Sequence, residues 1–289
     1  MNTLRVGILL TALTALFVVV GGMLGGQGGM VIALGLALVM NVGSFWFSDK
    51  LVIKMTRAQP VSEAEAPDLH AMVARLAQRA GIPKPALYVV PDPQPNAFAT
   101  GRSPARGVVA VNQGLLDVLD AREVEGVIAH EIGHIKHRDT LTMAVVASLA
   151  GAVMMLANMA QWAAMFGGLR GDDDDDGGGI VGLLVAIIVA PLAAMLIQTG
   201  ISRAREFEAD AAAADYTGSP DGLASALLKL ERGASLIPSE TARPATAHLN
   251  IVNPLRAGSR ARFAGLFSTH PPVEARIERL MQHAGRVAA

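Results

Sequence analysis

His130, Glu131 and His134 stand within the pentapeptide His130-Glu131-Ile132-Gly133-His134. Helix positions four apart lie on one face, so both imidazoles can reach a single metal ion. Glu131, next to the first imidazole, can hold a water at that ion and take its proton. The neighbourhood reads as helical: Val124, Val127 and Ile128 form an apolar face, and the pattern runs on through Ile135 towards a later apolar tract. A catalytic zinc takes three protein ligands and keeps a fourth position open. The chain has no cysteine, so the third ligand must be an imidazole or a carboxylate. His137 shares the face, but the three histidines would stretch over roughly 10 Å of helix, too far for one tetrahedral ion. A metzincin would carry glycine at 137 and histidine at 140; this chain has His137 and Thr140.

Besides His137, the chain has His70, His248, His270 and His283; a carboxylate is the other option, and the best candidate segment, Arg203 to Asp210, supplies three: Glu206, Glu208 and Asp210. Glu206 and Asp210 share a helix face, whereas Glu208 points roughly 160° away from Glu206. One carboxylate of the pair can bind metal while the other accepts the second N–H of a ligand imidazole. Alternatively these acids pair with Arg203 and Arg205 on a solvated face. Spacing alone leaves both readings open.

The elements that must position these groups are partly apolar tracts. Of the 289 residues, 52% are hydrophobic and 17% charged, with a net charge of −1 and a mean hydropathy of +0.40. Val6 to Ser48, Thr140 to Leu169 and Ile180 to Ile201 carry no Asp, Glu, Lys or Arg. An apolar helix needs roughly 20 residues to cross the hydrocarbon core, so the tracts supply four transmembrane helices. The first tract supplies two, split at the glycine-rich run from Gly25 to Gly29. A cleaved signal peptide fits poorly, because a second apolar run follows at once.

Lys and Arg flanking the spans set their direction. Arg5, Lys50, Lys54, Arg57, Lys136, Arg138, Arg203 and Arg205 flank the tracts on one side, while the loop between the third and fourth spans carries Asp172 to Asp176. Both termini and both long polar segments are therefore expected in the cytoplasm. The aspartate run reads as a solvated external loop; contiguous aspartates lack the spaced ligands and turn glycine of a calcium loop. The organisation is two N-terminal spans (1–48), a cytosolic segment with the His-Glu-x-x-His helix (49–139), two further spans (140–201) and a second cytosolic segment (202–289).

Within the polar segments, 62–79 reads as a helix, Ala86–Val90 and Gly107–Val111 as short strands, and Pro91–Pro95 as a turn. Helices follow at 115–119, from Glu123 onward, at 203–216, 221–232 and 272–283, with a loop from Ile237 to Gly265. The fold class is a multispanning α-helical membrane protein with a cytosolic α+β zincin-like metalloprotease domain.

The pentapeptide, the Ser202 to Asp210 stretch, Ser268-Thr269-His270-Pro271-Pro272 and Pro95-Asn96-Ala97-Phe98-Ala99 together resemble the HtpX family. These are bacterial heat-shock-associated membrane zinc proteases related to eukaryotic CAAX prenyl proteases. The resemblance covers essentially the whole chain. It implies one Zn2+ per chain held by His130, His134 and Glu206, with Glu131 as general base and acid. It implies that Asp210 steadies a ligand imidazole, that His270 stabilises the tetrahedral intermediate, and that Arg276 supports the site. Asn96, Ala97, Phe98 and Ala99 match the family's active-site edge strand, an exposed edge that binds an extended substrate by main-chain hydrogen bonds.

The implied activity is that of a zinc metalloendopeptidase of the bacterial inner membrane, in protein quality control and stress response. Its partners would be unfolded or membrane proteins and the lipid bilayer, with no nucleic acid; nothing in the spacing speaks to oligomeric state. If the metal helix continues into the third span at Thr140, the ion lies on the order of 10 Å above the membrane boundary. An intramembrane protease is disfavoured, because Glu123, Glu125, Lys136, His137 and Arg138 around the motif are too costly for the bilayer core. Two alternatives stand: a non-catalytic membrane scaffold with a vestigial metal site, and a prenyl-protein processing protease, for whose large chamber four spans are too few.

Overall fold

A computed structural model describes residues 2–143, 203–236, 251 and 271–287. The chain divides into two compact units, one containing Thr3–Phe45 and the other Trp46–Ala144 and Ile201–Ala289.

Helix α1 (Asn2–Thr56), which supplies Thr3–Phe45 to the first unit, is broken where Gly25 (φ −145°, ψ 19°) and Gly26 (φ 57°, ψ −142°) leave helical geometry. Gly26 sits in the left-handed region that glycine tolerates without a steric cost. The two arms fold back on each other. Asn41 Nδ2 donates to Thr14 Oγ1 at 2.9 Å, and a Cβ placed on Gly21 or on Gly29 would run into the other glycine's carbonyl. The glycine-rich split expected from sequence is thus a tight antiparallel turn. Gly25–Gly43 is long and apolar enough to cross a membrane, and Leu10–Gly22 is a shorter apolar helix. The expected third and fourth spans and the Asp172–Asp176 loop lie outside the described residues, apart from 140–143.

The second unit is built on a four-stranded sheet of order β1-β2-β4-β3. β2 (Ala86–Val90) and β4 (Val108–Asn112) pair in parallel. β1 (Gln59–Pro60), which the sequence did not announce, adds antiparallel to β2, and β3 (Ala97–Thr100) adds antiparallel to β4, Phe98 opposite Ala110. Helix α2 (Pro67–Ala80) starts later than the expected residue 62. Pro67 favours the first helical turn, and Ser62 instead closes a local turn, its Oγ donating to Glu65 Oε2 at 2.7 Å. After the short α3 (Gln113–Val118) comes α4 (Ala121–His137), which carries the two histidines.

α4 starts at a capping box. The Asp120 carboxylate accepts from the backbone of Arg122 and Glu123, and Glu123 Oε2 accepts from Asp120 N at 2.8 Å. Glu123 is buried and also accepts from Ser225 Oγ (2.6 Å) and Lys229 Nζ (2.7 Å), tying α4 to α6 (Asp221–Leu236). The two helices approach backbone to backbone, since a Cβ on Gly126 would lie 2.5 Å from Leu223 N. α5 (Arg203–Thr217) and α7 (Val273–Val287) complete the unit, with Arg279 stacked over Phe207 at 4.5 Å. The core between sheet and helices centres on Val73, Leu76, Val109, Ile128, Ile132 and Leu227.

One expectation fails at the end of α4. The helix does not run on into the next apolar tract. Arg138 takes a left-handed conformation (φ 59°) and caps it through its backbone N–H, and a new helix begins at Asp139. The height of roughly 10 Å assumed a straight helix, so the turn removes its basis.

Candidate metal centre

α4 and α5 together assemble the site. Gly133 is where they meet: a Cβ there would lie 3.3 Å from Ala209 Cα, so the missing side chain lets α5 close onto the histidine face. That contact carries Glu206 and Asp210 towards α4, while Glu208, pointing the other way, is exposed. His130 Nε2 and His134 Nε2 stand 3.1 Å apart with their rings edge to face. Glu206 closes the triangle, Oε2 at 3.7 Å from His130 Nε2 and Oε1 at 3.5 Å from His134 Nε2. One ligand atom from each of the three residues falls within 4.8 Å of the others, and all three residues are buried.

The ring nitrogens facing away from this triangle are both held by carboxylates. His130 Nδ1 lies 2.9 Å from Asp210 Oδ1, and His134 Nδ1 lies 3.2 Å from Asp139 Oδ2. Carboxylates only accept when ionised, so both Nδ1 atoms are assigned as donors. Both Nε2 lone pairs then converge at 3.1 Å and need a positive centre between them. Two imidazole nitrogens and one carboxylate oxygen are a donor set that suits zinc. The residues present fit a divalent cation.

The electrostatics agree with a site built around such a charge. Burial pushes His130 down to about 4, with His134 and Arg276 adding to the effect and Asp210 opposing it. For His134 burial also acts downward, but the Asp139 hydrogen bond and the Glu206 charge outweigh it and raise the ring to about 9. Without a cation, then, one proton shared between the rings is the alternative. Glu131 is pushed up to about 7, chiefly by burial, with Glu206 adding to the rise; the Ala99 backbone N–H donates to it. A buried carboxyl poised near neutrality is what proton transfer at neutral pH calls for.

Arg276, from α7, is fully buried. It grips Asp210 and donates Nη1 to the Ile251 carbonyl at 3.2 Å. Burial works against its charge, but Asp210 raises its pKa further, and Arg276 in turn holds Asp210 below the ordinary carboxylate range although burial acts the other way.

Asn96 receives the Ile251 N–H at 3.0 Å on its Oδ1. β3 stands last in the sheet order, and Ala97, Phe98, Ala99 and Thr100 are all buried. β3 is thus the edge strand expected for Asn96–Ala99, and its side chains pack into the faces of the sheet. Ala97 and Ala99 belong to the main core that includes α4, and Phe98 packs with Val90 and Ala110 on the other face. His270 lies outside the described residues.

The sequence reading missed Asp139 and Arg205, whose Nε lies 3.8 Å from Asp139 Oδ1. The available signal was an acid five residues after the second histidine. On a continuous helix, an acid at that spacing turns off the metal face.

A family model, Peptidase family M48, matches residues 63–284. A "Protease HtpX homolog" of Syntrophobacter fumaroxidans is 54% identical over 277 residues, covering 96% of this chain and 97% of that protein. The Pyrococcus furiosus homolog is 54% identical over 280 residues (97% and 95%), and that of Persephonella marina 50% over 292 (100% of both). Among solved structures, the crystal structure of S. mikatae Ste24p matches with a TM-score of 0.56 at 18% identity, covering 93% of this chain. This chain spans 62% of the length of Ste24p, and the likeness is one of fold.

Proposed function

This chain belongs to peptidase family M48 and is a metalloprotease of the HtpX type, and we propose that it acts as a membrane-held, zinc-dependent endopeptidase. In this reading it cuts cytosolic segments of misfolded or damaged membrane proteins, as part of quality control in the bacterial inner membrane. The observation that carries the reading is the buried triangle of His130, His134 and Glu206, with the Glu131 carboxyl beside it. Four spans anchor the chain, with both termini and the site cytoplasmic. Support comes from the charge-free tracts and from Val31, Ile32 and Val39, each at least 70% exposed along the apolar Gly25–Gly43 stretch.

His130, His134 and Glu206 hold the ion, one per chain. When bound, such an ion supplies Lewis acidity that polarises a scissile carbonyl and acidifies a water. Glu131 takes the proton of the attacking water and delivers it to the leaving amine nitrogen. Asp210 and Arg276 fix the His130 ring. His270, by family likeness, steadies the developing oxyanion. Asn96, Ala97, Phe98 and Ala99 bind substrate as an added strand along β3, the last strand of the sheet.

Degradation of casein and of a membrane-protein substrate by the purified full chain tests this. The reading requires cleavage that a zinc chelator stops and added zinc restores. A vestigial scaffold would leave both substrates intact under every condition.

A further inference from the structure

His130, Asp210 and Arg276 form a row of imidazole, carboxylate and guanidinium, with Asp210 on Nδ1 of the ring. The other proposed ligand imidazole has a row of the same chemistry. His134 Nδ1 meets Asp139 Oδ2 at 3.2 Å, and Asp139 Oδ1 faces Arg205 Nε at 3.8 Å. Asp139 is 1% exposed and Arg205 5%. We propose that Asp139 is a positioning residue for the metal centre, fixing the His134 ring so that Nε2 points at the ion, with Arg205 as the counter-charge that holds Asp139 in place.

The backbone is arranged for this contact. Arg138 takes the left-handed conformation that non-glycine residues seldom adopt, and the resulting turn swings Asp139 back beneath His134. The next residue fastens the same turn to the sheet, Thr140 Oγ1 donating to the Gly101 carbonyl at 2.8 Å just past β3. Arg205 directly precedes Glu206 on α5. One turn therefore links the His134 helix, the helix bearing the Glu206 carboxylate and the end of the edge strand. An imidazole whose second nitrogen is held by a carboxylate keeps one tautomer and one ring orientation, which sets its affinity for metal.

The inference rests on His130, His134 and Glu206 being the metal site, and the experiment separates the two. Full-length wild type, Asp139→Asn, Asp139→Ala and Arg205→Gln are loaded with Co2+. Visible spectra, metal affinity by chelator competition, and kcat and KM are measured on each. Wild type should bind one ion. Asp139→Ala should bind about 10- to 100-fold more weakly, with an altered ligand-field spectrum and a kcat lower at unchanged KM. Asp139→Asn, which keeps an acceptor without the charge, should fall between. Arg205→Gln should weaken binding less, and its effect should not add to that of Asp139→Ala. Should Asp139→Ala fail to fold, Asp139→Asn decides. Wild-type affinity and spectrum in the folded Asp139 variants would overturn the role of Asp139, and a wild type that takes up no ion would overturn the metal site itself.

Discussion

Arg276 holds Asp210 through two contacts, Nε to Oδ2 at 2.9 Å and Nη2 to Oδ1 at 2.6 Å, with neither residue more than 1% exposed. The same Asp210 oxygen faces His130 Nδ1. A buried ion pair gives little net stability against an apolar replacement, but removing one partner strands the other's charge. Arg276→Ala should therefore cost about 3–5 kcal/mol, and Arg276→Lys should also destabilise because the planar fork is lost. Thermal unfolding in detergent measures both, and an unchanged midpoint in Arg276→Ala would refute the pairing.

Asp210 also sets a pH dependence. Burial raises its carboxyl, but Arg276 more than compensates, so its folded pKa lies below the ordinary 3.8. Such a group adds stability that is complete above the unfolded pKa and is lost as pH falls through the folded one. The stability advantage of wild type over Asp210→Asn should thus be flat from pH 7 to about 5 and shrink below about 4. Melting temperatures across that range check it; a gap that widened on acidification would contradict the sign.

Glu131 is buried and stands at about 7 with the Ala99 N–H donating to it. Glu131→Gln keeps the shape and removes the proton acceptor. Cleavage should fall by roughly 10²–10⁴ while bound metal is retained, since the triangle of donors does not include it. Paired activity and metal assays on one preparation decide the point.

Gly126 should tolerate no side chain. A Cβ there would lie 2.5 Å from Leu223 N, a backbone atom that cannot swing away. Gly126→Ala should cost about 1–3 kcal/mol by prising α6 from α4. A melting temperature equal to wild type would show that the helices have room to spare.

How far the sequence disclosed this arrangement depended on the range of each contact. His130 and His134 were readable because helical periodicity alone puts them together, and Glu206 with Asp210 because the same periodicity gives them one face. The Gly25–Gly26 turn was readable because glycine clusters punctuate helices. Asp139 was not, because its approach depends on a left-handed arginine, and nothing in the residue type of Arg138 signals that conformation. The bond from Ile251 N–H to Asn96 was also out of reach, since it joins residues distant in sequence.

The proposed metal centre requires a carboxylate on α5 to share an ion with two imidazoles on α4. Zinc stoichiometry on the full-length protein tests it directly, comparing wild type, Glu206→Ala and Glu208→Ala. Wild type and Glu208→Ala should carry one zinc per chain and Glu206→Ala most of the way to none. Full zinc in Glu206→Ala, with loss instead in Glu208→Ala, would contradict it.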